Sequence, residues 1–185
     1  MNTTTEQIRA TVREGYQMLL RAEAELILPE GKDVIGNYYR LLAEKCMSWA
    51  TEVYGERIRQ EFLSLEDLHD RALWRAQKYR FLMRIPWQSE HYIAILCESY
   101  LLGQRQETQN SYHRLSHVWN LDEECILPIG QILELFGCGV KLRELPFVPE
   151  GVYPEGEELI FYKNPTLQTS FAQQKSPFSG TENPH

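Results

Sequence analysis

Between Tyr79 and Leu121 the side chains alternate in a way that leaves little freedom of fold. In "YRFLMRIPW", Tyr79, Phe81, Met83 and Ile85 take turns with Arg80, Leu82 and Arg84. Successive side chains of a strand point to opposite faces, so one face is buried and a cationic strip lies on the other. "HYIAILCESYLL" is apolar on both faces for most of its length, the signature of a covered central strand. "SYHRLSHVWNL" sets Tyr112, Arg114, Ser116 and Val118 against His113, Leu115, His117 and Trp119. The polar link "GQRQETQN" predicts that these last two strands close as an antiparallel hairpin.

Upstream the period changes. From about Val34 to Tyr54, a helical spacing puts Ile35, Tyr38, Tyr39, Leu42, Cys46, Trp49, Ala50 and Val53 on one face. Such a stripe needs a flat partner, and the sheet supplies one. The expected fold class is therefore α+β: an antiparallel β-sheet with one long amphipathic helix packed across it and short accessory helices. Asp33 is the expected N-cap, and Gly55 suits a break, after which "ERIRQEFL" is able to resume helically. "QMLLRAEAELILPEG" sets Ala22, Ala24, Leu26 and Leu28 opposite Glu23 and Glu25. Its residues are good helix formers, yet Pro29 and Gly31 end it as a turn would, and it reads as a strand. "SLEDLHDRALWRAQ", with Ser64 and Asp67 spaced as in a capping box, predicts a short helix. "IGQILELFG" predicts another, closed by Gly137, and one further strand is expected near Leu159 to Tyr162. Residues 1–163 read as a single α+β domain and residues 164–185 as a disordered tail, polar and poor in branched aliphatics.

A length of 185 residues suits one well-packed domain, and an apolar share of 43% suffices for its core. The formal charge of −7, without a basic run, speaks against nucleic-acid binding. The start lacks the apolar core of a secretory signal and no stretch is apolar enough for a membrane helix, so a complete chain is expected in the cytoplasm. Cys46, Cys97, Cys125 and Cys138 form no CxxC pair and read as free thiols.

The candidate chemistry is sparse. His113 and His117 are four apart, a spacing that joins two ligands on a helix but separates them by about 13 Å on a strand. Cys97 sits among Ile93, Ile95 and Leu101 with no electropositive neighbour to activate it. The acids of "LDEEC" read as a solvated turn, and no phosphate loop, GxSxG elbow or HExxH occurs. No catalytic residue, cofactor or metal ligand is assigned. Arg80, Arg84 and Arg114, with His113, His117 and Trp119, make the candidate binding surface; the competing expectation is that each arginine pairs with an acid on a neighbouring strand.

A strand ending in "VWNL", a turn "DEEC", a return "ILPI" and a helix "GQILELF" follow one another from Val118 to Phe136. This succession resembles the domain of unknown function found in the extracytoplasmic part of lysozyme-sensing anti-sigma factors and in some secreted polysaccharide deacetylases. "ELILPEG", the amphipathic helix and the paired strands occur in the same order, so the resemblance covers about residues 20–136, with an echo at "LIFYKN". It implies a non-enzymatic binding or sensing module that recognises a protein or other ligand. With no signal, membrane helix or sigma-binding segment read ahead of the domain, lysozyme itself is not the expected ligand. The competing readings are a small metal-free hydrolase or transferase using His113/His117 with Cys97 or an acid, and an assembly component acting through Trp87, Tyr92 and Tyr100. A protein partner is expected, nucleic acid and membrane are not, and the oligomeric state is left open.

Overall fold

The computed structural model describes residues 2–102, 111–166 and 168–178. Its contacts divide into two compact units, one of Met1–Leu82 with Ser99–Thr108 and the other of Met83–Glu98 with Gln109–His185. Among the described residues six strands are hydrogen-bonded in chain order, and three more form a second sheet.

The first unit opens with β1 (Thr3–Glu14) and β2 (Gln17–Pro29), an antiparallel hairpin about Gly15–Tyr16. Gly15 takes φ 57°, the left-handed conformation that a tight two-residue turn needs and glycine adopts without strain. β2 is an expected strand and β1 is not, although Ile8, Ala10 and Val12 alternate with Gln7, Arg9, Thr11 and Arg13 ahead of the Gly15 turn.

Helix α1 (Asp33–Ser64) packs on β2 and β1. It corrects the expected helix in four ways. Tyr38, Trp49 and Val53, assigned to the core, are 39%, 49% and 45% exposed, while Ile35, Tyr39, Ala43, Met47, Ala50, Ile58 and Phe62 are buried. The buried face is built partly on small residues, Gly36, Ala43, Ala50 and Gly55, which let the helix come close to the strands. Gly55 does not end the helix: a Cβ there would lie 2.8 Å from Val12 Cγ2, so glycine lets the helix approach β1 closely at this point. Asp33 is the first helical residue rather than its cap, and Lys32 holds the cap position without its side chain capping the helix. In α2 (Leu68–Ala72) the cap is Asp67, whose carboxylate accepts from His69 N at 2.8 Å; Ser64 belongs to α1.

Strand β3 (Gln77–Gln88) pairs with β2 in parallel, Ala22 opposite Tyr79 and Ala24 opposite Phe81. The expected purely antiparallel sheet is therefore mixed. A parallel pair needs a long crossover, which the 32-residue helix between the two strands provides. The alternation read in β3 holds, with Tyr79, Phe81 and Met83 buried between partly exposed neighbours. Strands β4 (Tyr92–Leu102), β5 (His113–Asn120) and the short β6 (Cys125–Ile126) follow, whereas the expected hairpin link "GQRQETQN" lies outside the described residues.

In the second unit, α3 (Ile129–Leu135) is closed as expected by Gly137, at φ 57°. Cys138 N donates to Leu133 O at 2.8 Å, reaching back over the last turn to satisfy a terminal carbonyl. Strands β7 (Gly151–Glu155), β8 (Glu158–Lys163) and β9 (Ala172–Pro177) form the antiparallel second sheet. One face of β7 and β8 contributes Val152, Leu159 and Phe161 to a core with Ala94, Val118, Ile132 and Phe136; the other sets Tyr153, Ile160 and Tyr162 beside Leu96. Strand β9 overturns part of the expected tail. Its bonds to β8 are made by the main chain and its side chains are mostly exposed, so composition carries no trace of it. Residues 179–185, the rest of that tail, lie outside the described residues. No helix of the described residues is long and apolar enough to cross a membrane.

Candidate functional site

The three arginines of the expected strip sit in different surroundings, and each meets a carboxylate. Arg80 belongs to the first unit, where Nη1 donates to Glu23 Oε2 at 3.2 Å, directly across from it on β2. Lys78 Nζ stands 2.8 Å from the same oxygen. That hydrogen bond, opposed by burial and reinforced by the charges of Lys78, Arg80 and Arg21, holds the Glu23 carboxyl below the ordinary carboxylate range.

Arg84 and Arg114 belong to the second unit and share one acid, Glu98 of β4. Arg114 Nη2 lies 2.9 Å from Glu98 Oε1, which also accepts from the Tyr112 hydroxyl; Arg84 Nε lies 3.5 Å from Oε2. Burial raises the Glu98 pKa, but the hydrogen bonds from Tyr112 and Arg114 and the charges of Arg114 and Arg84 outweigh it, and the carboxyl stays below its ordinary range. Arg84 also donates from Nη1 to Glu155 Oε1 at 2.5 Å.

Arg114 is the centre of this cluster. Its side chain is 9% exposed. The guanidinium donates to the hydroxyls of Tyr112 (2.7 and 3.0 Å) and Tyr153 (3.0 Å) and to Gln173 Oε1 (2.8 Å). Four rings surround it, Phe171 with its centroid at 4.9 Å and Tyr112, Tyr153 and Tyr162 each at 5.6 Å. The main chain of Arg114 is held as firmly. Asn164, 8% exposed, accepts from Arg114 N at 2.7 Å and donates from Nδ2 to Arg114 O at 2.9 Å, doing for β5 what a neighbouring strand would. Glu150 Oε2 takes a further bond from Asn164 Nδ2 at 2.9 Å. Gly151 clears the way for Tyr162, since a Cβ there would run into the phenol ring. Burial pushes the Tyr112 hydroxyl well above its usual range, and its bond to Glu98 adds to the effect. Every donor of Arg114 has an acceptor, so the arrangement is a closed scaffold. Tyr112 stands two residues before Arg114, whereas Tyr153, Asn164, Phe171 and Gln173 come from distant parts of the chain. Only the tyrosine-rich alternation around them is a signal that sequence offers.

The remaining candidates are dispersed. His113 is exposed at the start of β5, and His117 is half-buried, where burial lowers its pKa. Trp119 is 4% exposed and part of the core, and Cys97 is 2% exposed. Asn120 answers for the turn after Trp119: its Oδ1 accepts from Asp122 N at 2.9 Å and Glu123 N at 3.1 Å, and Glu124 turns the chain at φ 51°. Asp122 also meets His91 Nδ1 at 2.8 Å on the exposed surface. The thiol of that turn, Cys125, is driven up by burial and by the Glu123 carboxylate, the opposite of an activated nucleophile. All four cysteines are free. Among the described residues no three His, Cys, Asp or Glu side chains converge on a metal-sized site.

A second region, of which the sequence marks only Arg80 as a candidate, is the open face of β1, β2 and β3 in the first unit. There Gln7 lies opposite Glu25, Arg9 opposite Glu23 and Thr11 opposite Arg21, with Lys78 and Arg80 next in line on β3. Gln7, Arg9, Glu23, Ala24, Glu25 and Arg80 line a surface pocket on it. Arg9 donates from Nη2 to Gln7 Oε1 at 2.8 Å, and neither Arg9 nor Arg13 reaches a carboxylate among the described residues.

The whole chain is similar to a solved structure of a DUF3298 family member from Bacteroides fragilis NCTC 9343, with a TM-score of 0.53 and 10% identity over 96% of this chain and 90% of that one. The chain has a DUF3298-like fold. A DUF3298 family protein from Pseudomonas aeruginosa PAO1 is similar over 96% of this chain and 91% of its own, with 12% identity and a TM-score of 0.48. No protein-family model matches the chain, and no curated protein matches it. At 10% identity the likeness is one of fold, and it carries neither an anti-sigma-factor nor a deacetylase setting to this chain.

Proposed function

We propose that the chain is a non-enzymatic recognition module for a protein or other ligand. The observation that carries this reading is the saturation of the polar cluster around Glu98 and Arg114. Both oxygens of Glu98 are engaged, one by Tyr112 and Arg114 and the other by Arg84, and its carboxyl is held ionised, far from the near-neutral range a general acid or base needs. The groups with chemistry to offer neutralise one another, as scaffold residues do.

The competing hydrolase or transferase would use His113 or His117 with Cys97 or an acid. Burial of Cys97 and the exposed, separate position of His113 argue against it. The exposed His91–Asp122 pair is the arrangement that most resembles a relay, but the thiol of the same turn, Cys125, meets Glu123 and is raised rather than activated. Thermal-shift screening against zinc, peptidoglycan fragments and lysozyme, together with a chromogenic ester assay, separates the two readings. A rise in Tm with a protein or glycan arm, and no turnover, is the expected result. Ester turnover abolished by His117→Ala or Cys97→Ala would overturn it.

A further inference from the structure

Strand β1 is an edge. It pairs with β2 on one side, and among the described residues no backbone hydrogen bond occupies its other side over Thr3–Glu14. The open side of a twelve-residue strand is a ready template for another strand, which proteins usually blunt with short length, charged side chains, proline or bulges. Here proline is absent and the register irregularity falls only at Val12/Arg13.

The side chains of β1 say what would fit. Toward α1 it presents Ile8, Ala10 and Val12, all half-buried, so an added strand would extend an apolar surface there. Toward the open face it presents Thr3, Thr5, Gln7, Arg9, Thr11 and Arg13, all exposed and none acidic. The open faces of β1, β2 and β3 together carry five basic side chains (Arg9, Arg13, Arg21, Lys78 and Arg80) against two acids, Glu23 and Glu25. Glu23 is already held by Lys78 and Arg80. In a chain of net charge −7, this is a local positive field.

From this we infer that β1 is the docking edge for an extended segment of another protein. That segment alternates apolar and acidic residues, its carboxylates meeting Arg9 and Arg13 and its apolar side chains continuing Ile8, Ala10 and Val12. The inference rests on the reading of the chain as a recognition module and names its partner chemistry. Main-chain bonds supply the affinity of such an addition and alternate side chains its selectivity. Arg9 and Arg13 are four residues apart on one face, so the matching acids are also four apart, about 13 Å along the strand. A second copy of β1 is a poor occupant. Its own acids, Glu6 and Glu14, lie on the opposite face, where Arg40 (2.6 Å) and Arg59 (2.6 Å) hold them. Same-face pairing of two copies therefore leaves the arginines facing threonine, glutamine or each other.

The test uses the full chain, isotope-labelled, titrated with a short acetylated and amidated peptide of alternating glutamate and valine. Amide shifts and slowed hydrogen exchange confined to Thr3–Glu14 and its neighbours are expected. Binding should weaken about tenfold in the Arg9→Glu/Arg13→Glu variant, which should instead take the lysine–valine peptide. Because both arginines are exposed, the variant retains its fold, checked by an unchanged spectrum away from β1. Equal binding of the glutamate and lysine peptides, tighter binding of a single-stranded oligonucleotide, or β1 protection that grows with protein concentration alone would each overturn the inference. Peptide shifts mapping away from β1 would also overturn it while sparing the recognition reading, which falls only on turnover.

Discussion

Arg114 and Arg9 are the same residue under opposite conditions. Arg114 lies in the second unit with its charge answered by Glu98, its donors by three other side chains, and its faces by four rings. Arg9 lies in the first unit on an open sheet, with a single glutamine for company. The first arrangement organises a fold; the second leaves charge for something outside it. An arginine on a strand is thus ambiguous until its neighbours are known, because the same fork of donors serves a scaffold or a partner.

The contrast gives a graded set of expectations. Arg114→Ala strips the counter-charge from Glu98 and empties the ring cage, so it should cost about 3 kcal/mol in urea unfolding, the scale of a broken buried ion pair. Equal stability of the variant and the native chain would mean the cage is ornamental. Asn164→Ala comes next. It leaves the N–H and C=O of Arg114 without this partner and takes one bond from the Glu150 carboxylate, at a cost of about 2 kcal/mol by the same measurement.

Acid should reach the second unit through Glu98. Because its folded carboxyl titrates below the unfolded one, it stabilises the fold above the ordinary carboxylate pKa, and that contribution is lost as pH falls through the folded value. Thermal unfolding across the acid range should show this slope in the native chain and a shallower one in Glu98→Gln. At the bottom of the scale, Arg9→Ala and Arg13→Ala should change stability by no more than about 0.5 kcal/mol, as exposed side chains do. A loss above 1 kcal/mol, on the order of a broken structural hydrogen bond, would erase the distinction between the two regions.

Much of the fold was legible because burial imposes a period. The alternation in β3 and the apolar run of β4 needed no tertiary information to be read as strands, and Gly137 marked the end of α3 by itself. The misreadings share a cause. Helix α1 was rotated in the reading because Trp49 and Tyr38 outweigh Ala43 and Gly55 in apolar bulk, whereas close approach to a strand favours the small residues. Strand β9 was hidden because an exposed edge is held by main-chain bonds that leave no mark on composition. The site was less legible still: the pairing of each arginine with an acid was foreseen as an alternative, but its partners Tyr153, Asn164 and Phe171 lie some forty to sixty residues from Arg114, and no local pattern joins them.

By itself, then, the sequence determined which segments extend, which coil, and which side chains must leave water, since periodicity and hydrophobicity are local properties. Tertiary structure decided the parallel pairing of β2 with β3, the helix face that packs, and which arginines are answered from within. Those outcomes depend on what arrives from elsewhere in the chain, and electrostatic and packing energies are set by neighbours in space rather than in sequence.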